Sequence, residues 1–589
     1  MADNFLSIGG ATVTSDNIYD FVDDLSDTPE NVDTNSDYNN NDSDNVSEHS
    51  EHDTASEIHL SDQSDLSSDE IDSSSNGDTS YYYGRNSYKW AKNPPAPSRV
   101  RAQDIITQFP GLRGPALQSK PSNPLEAWSF LISSDMLASI VEHTNEKITD
   151  LSVNYGDNCT FVDHVTEIEL KAFLGLLYLS GVFKSNHEDV DSLFSTGCLG
   201  TPIFRTTISK ERFLFLLTAI RFDNHEIKEQ KKASGDRLAA VSSLFNAFIA
   251  NSIGNYTCSE YVTTDEMLVG FRGRCPFRMY MKAKPVKYGI KIMCLCDSKT
   301  YYLVNAFVYT GKMNEPNPRK LSISTRSVLA LVEPIANSNR NVTGDNWFTS
   351  LELVGELKKL RLTYVGTMRK NKREILPQFQ PNKNYEVDKS LFGFTRENTI
   401  VSYVPKKNKS VIMLSTMHHD NSVDQESKKP EIIAFYNATK GDVDALDQKC
   451  ALYSSSRRCR RWPLVIWYAI MGIAIINSHI IFHAANPGVK KNRSDFMKEL
   501  GMSLINEQLK LRFAIPSLSR ELRLIISKAL GTEITLQDPP RQEGRVVRRR
   551  CYLYPRSKDT KHSTVCAECH KAICKTHSLQ QVICTSCKE

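Results

Sequence analysis

Four aspartates stand where their type and spacing could do chemistry. Asp265 lies inside a β-branched run, TTDEMLVGF, and Asp345 closes another, VTGDNWF. Asp444 and Asp447 are three apart at a helix start, in GDVDALDQ, and so share one helix face. A mixed sheet could converge all four on one edge. Three or four carboxylates gathered in that way suit a pair of hard divalent cations, Mg2+ or Mn2+, which take oxygen ligands and support phosphoryl transfer. The plainer readings are a turn-forming Asp345 and an Asp444 that caps its helix. Glu266 and Asp442 belong to the same acidic neighbourhood.

A second constellation closes the chain. From Cys566 the spacing is C-x2-C-x4-C-x2-H-x6-C-x2-C, through Cys569, Cys574, His577 and Cys584 to Cys587. Ligands paired at x2 are what a tetrahedral zinc site requires. Six of the 14 cysteines fall in residues 551–589, which points to metal in a reducing compartment and away from a disulfide framework. So short a segment builds no core of its own, and one or two Zn2+ ions must supply its folding energy.

Charge separates the chain into two parts. Residues 1–80 carry 21 Asp/Glu and no Lys or Arg, which leaves 72 basic against 48 acidic residues beyond them, a body of +24 inside a chain of net +3. A basic body suits a polyanion such as DNA. Arg272 and Arg274 follow Asp265; Lys284 and Lys287 precede the next strand; Arg369, Lys372 and Arg373 lie just past another. These three clusters flank the aspartates and are expected to meet phosphates, Arg in bidentate fashion and Lys as a point charge. Asn346 and Trp347, beside Asp345, could bond or stack on a base, and Trp347 could equally be core. Residues 1–84 are too polar to bury a core and are expected to be disordered. Ser64, Ser67 and Ser68 in SDQSDLSSDEID are candidate sites for an acidophilic kinase.

Two classes are excluded. The N-terminus lacks the basic and apolar regions of a secretory signal. The longest apolar run, Leu464–Ile476, is 13 residues, short of the roughly 20 that a membrane span needs, and reads as a core helix.

The elements that must position these residues follow from periodicity. Apolar residues recur at three and four from Pro124 to about Ser252, in EAWSFLISSDMLASIVEHTNEKI, EIELKAFLGLLYLSGVF and SKERFLFLLTAIRF, with Ser209 as an N-cap. Short β-branched and aromatic runs begin near Cys258: EYVTTDEMLVGF, KYGIKIMCLCD and YYLVNAFVY, with a turn at Asp297–Thr300. Helix and strand then alternate: ISTRSVLALVEPIA, NVTGDNWF, SLELVGELKKLR, LTYVGTM. This is the pattern of a mixed α/β sheet. A polar stretch with more strand signals, at about 373–432, interrupts it, and helical signal resumes from Asp442 to about Leu530.

Six ordered blocks, TTDEMLVGFRGRCPFRMY, KPVKYGIKIM, TGDNWFTS, YVGTMRKNKREILP, YNATKGDVDALDQ and RRWPLVIWYAI, resemble those of piggyBac-like transposases, from about Pro124 to the C-terminus. The resemblance implies a multidomain α+β protein. Its RNase H-like catalytic core (258–372 and 433–456) would carry an insertion (373–432). A helical DNA-binding and dimerisation domain (116–257 and 457–535) would join it, then a basic linker (536–550) and a cross-brace zinc finger (551–589). Residues 1–115 would be tail and linker. By the same resemblance Asp265, Asp345 and Asp447 form a DDE/D triad with Asp444 as a fourth carboxylate, binding two Mg2+ or Mn2+ ions. The family usually has Gly at Asp442, whose extra charge is expected to point away. One zinc would sit on Cys566, Cys569, Cys584 and Cys587. A second would sit on Cys551, Cys574, His577 and a partner; the family's partner position holds Tyr554, leaving His562 or His570 as substitutes, or a weaker site.

The implied activity is cut-and-paste transposition in the nucleus by a homodimer on double-stranded DNA: nicking at element ends, hairpin formation, and joining to TTAA. Arg548 to Arg550, with Arg556, Lys558 and Lys561, read as nuclear import signal or DNA contact. Two other classes compete: a domesticated DNA-binding protein without transposition, and a chromatin reader or ubiquitin ligase using the finger.

Overall fold

A computed structural model of the protein describes residues 80–96, 105–106, 108–156, 159–196, 200–282, 284–311, 320–532, 548–555, 560–566 and 569–579. The proposed kinase sites, Arg556, Lys558, Cys584 and Cys587 lie outside the described residues. The chain divides into two compact units between Ile526 and Ser527.

The first unit is built on an eleven-stranded sheet: β1 (Tyr81–Tyr83), β2 (Lys89–Ala91), β3 (Tyr261–Gly270), β4 (Met279–Tyr280), β5 (Tyr288–Asp297), β6 (Leu303–Val308), β7 (Asn341–Gly344), β8 (Thr363–Thr367), β9 (Ser390–Phe394), β10 (Thr399–Tyr403) and β11 (Val411–Ser415). Its order is β1-β2-β9-β10-β11-β8-β7-β3-β5-β4, with β6 also pairing β5. Strand β7 runs parallel to β3 on one side and to β8 on the other; β3–β5 and β8–β11 are antiparallel. The sheet is therefore mixed, as the strand–helix alternation predicts. Every residue of β5 after Tyr288 is buried, which explains why this central strand is apolar apart from Lys291 and the closing Asp297.

Eleven helices matter here: α1 (Ser134–Ser152), α2 (Glu167–Val182), α3 (Lys210–Ala219), α4 (Ser242–Asn255), α5 (Ile323–Val332), α6 (Leu351–Lys359), α7 (Glu431–Thr439), α8 (Asp442–Leu452), α9 (Trp462–Ala485), α10 (Arg493–Phe513) and α11 (Arg520–Leu530). Ser133, Thr166, Ser209, Ser322, Ser350 and Asn492 cap α1, α2, α3, α5, α6 and α10, each accepting an orphan backbone N–H. Helix α9 is long and apolar enough to cross a membrane, but 78% of its most apolar window is buried inside the protein, as a core helix requires. Asn477 in its middle donates to the Leu303 carbonyl and accepts from the Leu303 N–H, at 3.0 and 2.9 Å, fastening α9 to β6. Helices α2 and α10 cross where both lack a side chain. A Cβ on Gly175 would stand 2.8 Å from the Gly501 carbonyl oxygen, and one on Gly501 2.8 Å from Leu179.

Two placements differ from expectation. Residues 81–91, read as tail and linker, form the β1–β2 hairpin. Trp90 is fully buried and its Nε1 donates to the Glu374 carbonyl at 3.2 Å, while Ala91 pairs with Phe394. The stretch at 373–432 does not interrupt the sheet but extends it, because β11 docks antiparallel on β8 and carries β10 and β9 outward.

In the second unit Arg549–Arg550 pairs with Lys561–His562, and Val565 bridges Ala572.

Candidate active site

Asp265 stands halfway along β3. Its neighbours in the same strand alternate faces, so Thr263 and Asp265 share one face and Glu266 points to the other. Strand β7 pairs in parallel with β3, Thr264 opposite Gly344, so the next residue, Asp345, emerges beside Asp265. Gly344 is required there: a Cβ would meet the Tyr364 hydroxyl at 2.5 Å and Thr264 Oγ1 at 3.0 Å. The turn after β7 is held on Asp345 itself. Its carboxylate accepts from the Trp347 N–H at 2.9 Å, and its carbonyl from Thr349 Oγ1 at 2.8 Å. Asp345 is thus both a turn former and a member of the cluster.

Helix α8 packs across β3 and β5 and supplies Asp444 and Asp447 from its first two turns. Asp444 accepts from Lys284 Nζ at 3.1 Å, and the same ammonium donates to the Glu266 carbonyl at 3.3 Å. The electrostatics record how close the groups are. Burial, then Glu266, Asp345 and Asp444, push the Asp265 carboxyl well above its ordinary value, against the pull of Lys284. Burial raises Asp447 to about 6, with Lys284 lowering it and Asp444 raising it. Lys284 is raised as well: burial depresses it, but Asp265, Asp444 and Glu266 together hold it above the ordinary lysine value. Negative charge is in excess, and the donors are oxygens. Oxygen donors and excess negative charge are what a hard divalent cation takes, with Lys284 supplying part of the compensating charge, but no three of these carboxylates bring oxygens within 4.8 Å of one another among the described residues.

Asp442 bonds to Thr263, on the strand face that also carries Asp265, and none of the four aspartates is among the groups that shift it. It is buried at 1% exposure, accepts from Thr263 Oγ1 at 2.7 Å, and is pushed up to about 7 by burial. Glu266 faces Lys291 at 3.5 Å. Sequence reasoning misses Lys291, although a lone cation inside the apolar strand β5 is a visible signal. Its ammonium also lies 4.9 Å from the Trp347 ring, so half-buried Trp347 packs as a cation–π partner.

The basic candidates fall into two groups. Arg272, Arg274 and Lys287 are exposed on the β3–β5 connection, and Arg369 and Arg373 are exposed past β8. Arg369 Nε donates to Asn346 Oδ1 at 3.1 Å, tying that loop to the Asp345 turn, and the Lys372 carbonyl accepts from Arg85 of the hairpin at 3.1 Å. Lys284 instead points inward onto the carboxylates. Two of the four arginines in residues 457–461 serve structure: Arg461 donates to the Leu217, Thr218 and Ile220 carbonyls at the end of α3, and Arg457 to the Glu188 carbonyl, while Arg458 and Arg460 are exposed.

In the second unit Cys551, Cys574 and His577 bring three ligand atoms within 4.8 Å of one another, the only such group of His, Cys, Asp and Glu among the described residues. His577 Nδ1 lies 3.1 Å from Cys574 Sγ and 3.5 Å from Cys551 Sγ. Although desolvation opposes it, hydrogen bonds from the His577 and Thr576 backbone and from Cys551 and Tyr554 hold the Cys574 thiol down, to about 6. Two thiols and an imidazole, one thiol readily ionised, suit Zn2+. The Tyr554 ring packs edge-on against His577 at 4.8 Å. Neither His562 nor His570 joins the three, nor do Cys566 and Cys569.

Comparison with known proteins places this geometry. Residues 123–479 match the family described as Transposase IS4. The human piggyBac transposable element-derived protein 3 is 22% identical over 375 residues, covering 59% of this chain and 60% of that protein. The human piggyBac transposable element-derived protein 2 is 22% identical over 364 residues, covering 59% of each. This chain thus spans about three-fifths of the length of those relatives. A cryo-EM structure of a piggyBac transposase synaptic complex with hairpin DNA is 35% identical, with a TM-score of 0.72, over 82% of this chain and 100% of that one. On the matched family and this shared architecture, the chain belongs to the Transposase IS4 family as a piggyBac-like transposase.

Proposed function

We propose that the protein is a metal-dependent DNA strand transferase that moves an element by cut-and-paste transposition. The observation that carries this reading is that Asp265, Asp345, Asp444 and Asp447, from three distant segments, come near enough at the mixed sheet for their charges to act on one another. Two Mg2+ or Mn2+ ions, when bound, would ready water or a 3′-hydroxyl for attack and steady the leaving oxygen. Asp265, Asp345, Asp444 and Asp447 hold them. Lys284 offsets part of the repulsion among the carboxylates. Arg369 and Asn346 act as one unit at the site's rim, with Arg272, Arg274, Lys287, Lys372 and Arg373 as phosphate contacts along the approach. The finger, through Cys551, Cys574 and His577 and with Cys566, Cys569, Cys584 and Cys587, binds Zn2+ and contacts DNA near the element ends.

The reaction sequence is nicking, hairpin formation on the element end, hairpin opening and joining to TTAA, by a homodimer in the nucleus. The synaptic complex with hairpin DNA seen for the piggyBac relative supports this order. The human relatives, named as element-derived proteins, favour a second reading: a domesticated DNA-binding protein without transposition.

An excision assay decides between them. The genomic DNA flanking the coding sequence is placed around a marker, the protein is expressed, and the repaired donor is sequenced. Restoration of a single TTAA, lost in Asp345→Asn while DNA binding persists, is expected. Excision by the Asp345→Asn variant would remove Asp345 from the catalytic set. Bound ends without excision by the unaltered protein would favour the domesticated reading.

A further inference from the structure

We propose that His479, His483 and the main-chain carbonyl of Lys491 form a binding site for a borderline first-row divalent cation, of the Zn2+ or Ni2+ class. The site lies at the end of α9 in the first unit, uses none of the carboxylate or finger residues, and does not depend on the transposase reading.

His479 and His483 are one turn apart on α9, so their rings stand side by side, with centroids 4.4 Å apart. Their Nε2 atoms are 3.1 Å apart. Both converge on one oxygen: the Lys491 carbonyl lies 2.9 Å from Nε2 of His479 and 2.8 Å from Nε2 of His483. Three donor atoms thus make a nearly equilateral triangle. With metal–ligand bonds of about 2.1 Å, an ion fits equidistant from all three, and the two nitrogens subtend roughly 95–100° at it, between octahedral and tetrahedral values. On binding, both rings take the Nδ1–H tautomer, and a small ring rotation aims the freed Nε2 lone pairs at the ion. Two imidazoles and one carbonyl are a nitrogen-rich, sulfur-free set, which selects Zn2+, Ni2+ or Co2+ over Mg2+.

The donors are held in place before any ion arrives. The Phe496 ring packs edge-on against His479 at 5.2 Å, and Phe482 flanks His483 at 5.5 Å. The Lys491 ammonium is drawn off by Glu499 and lies 5.2 Å from the Phe482 ring. Asn492, the next residue, caps α10 by accepting from the Asp495 N–H, which fixes the chain on the far side of the carbonyl. An ion here would clip the turn between α9 and α10. The competing arrangement is a pair of Nε2–H tautomers, both donating to the one carbonyl with no metal.

The test uses the full chain with its finger filled with Zn2+ and with Mg2+ in excess to occupy the carboxylates. Ni2+ uptake is measured by equilibrium dialysis, with the melting temperature alongside. One Ni2+ per chain beyond the zinc is expected, with a rise in melting temperature. His479→Gln and His483→Gln should each weaken that uptake at least tenfold while keeping native circular dichroism. Lys491→Ala, which keeps the carbonyl, should retain it. X-ray absorption at the nickel edge of the unaltered protein should show imidazole nitrogen and oxygen without sulfur, a readout that stands even if a glutamine variant fails to fold. No additional Ni2+, uptake unchanged in both glutamine variants, or sulfur in the nickel shell would each overturn the site.

Discussion

At the residue scale the carboxylates and Lys284 form one charge system. Lys284 donates to Asp444, so it competes with any cation for that oxygen. A unit charge in contact contributes upwards of ~1 kcal/mol at surface screening, so Lys284→Met is expected to tighten Mn2+ binding by about tenfold. Titration of the free-ion Mn2+ electron-spin signal measures this, and an unchanged affinity would mean that the lysine does not compete. Asp442 makes a second prediction. Its folded carboxyl sits at about 7 against an ordinary 3.8, so between those values the folded state holds a proton that the unfolded state has lost, and stability falls as pH rises through that window. Asp442→Asn keeps an acceptor for Thr263 and removes the charge. It should stabilise the protein by about 2 kcal/mol at pH 8, with the gain vanishing below about pH 4, as read from urea midpoints at the two pH values. The four aspartates were legible in the sequence by type and strand position. The inward turn of Lys284 was not, because the pairing of β3 with β5 and the docking of α8 decide which face of the connecting loop meets the carboxylates.

At the element scale close packing and edges dominate. Gly175→Ala places a methyl against the Gly501 carbonyl, a backbone atom that cannot step aside singly, and should cost about 1–3 kcal/mol in the thermal transition. An unchanged melting temperature would show that α2 and α10 can part freely. Trp90→Ala empties the pocket under the β1–β2 hairpin. It is expected to release the hairpin to protease and raise amide exchange in β9 without unfolding the rest, at a local cost of about 3–5 kcal/mol. The long helices were legible because apolar residues recur through them at helical spacing, and several, though not α4 or α9, carry a side-chain N-cap as well. The hairpin escaped notice because a three-residue strand holds no period, and YYY and KWA sit beside a long acidic stretch that dominates composition. The strands of 390–415 were visible as strand signal, but their fusion to the main sheet depends on β8–β11 pairing, which is non-local and leaves no local mark.

At the scale of the whole molecule the charge split sets how DNA is held. If the basic body contacts phosphates, each contact releases counterions, and raising salt from about 50 to about 200 mM should weaken DNA affinity by an order of magnitude or more. A flat response measured by fluorescence anisotropy would move the DNA surface away from the Arg272–Lys287 and Arg369–Arg373 loops. The finger spacing was read directly from the sequence, since metal ligands must recur at short intervals. The three-ligand cluster with Tyr554 packed on His577 required coordinates. Chelation is expected to strip zinc and abolish contact with the element ends, while the melting of the first unit stays within a degree or two, because that unit has its own core.

The crossing of early and late helices bears on how the chain is made. Helix α2 is buried along nearly its whole length, and Tyr178 within it donates to the Met471 carbonyl, 293 residues further on. While the ribosome works through the sheet, α2 waits with its apolar surface uncovered, since the helices that bury it have yet to be synthesised. Such long-range closure slows folding and prolongs exposure to aggregation and to chaperones. Asp265 and Asp345 are also translated well before α8, so a nascent or prematurely terminated chain carries half of the carboxylates and lacks the rest. On the proposed function, the site is complete only once about three quarters of the polypeptide has been made.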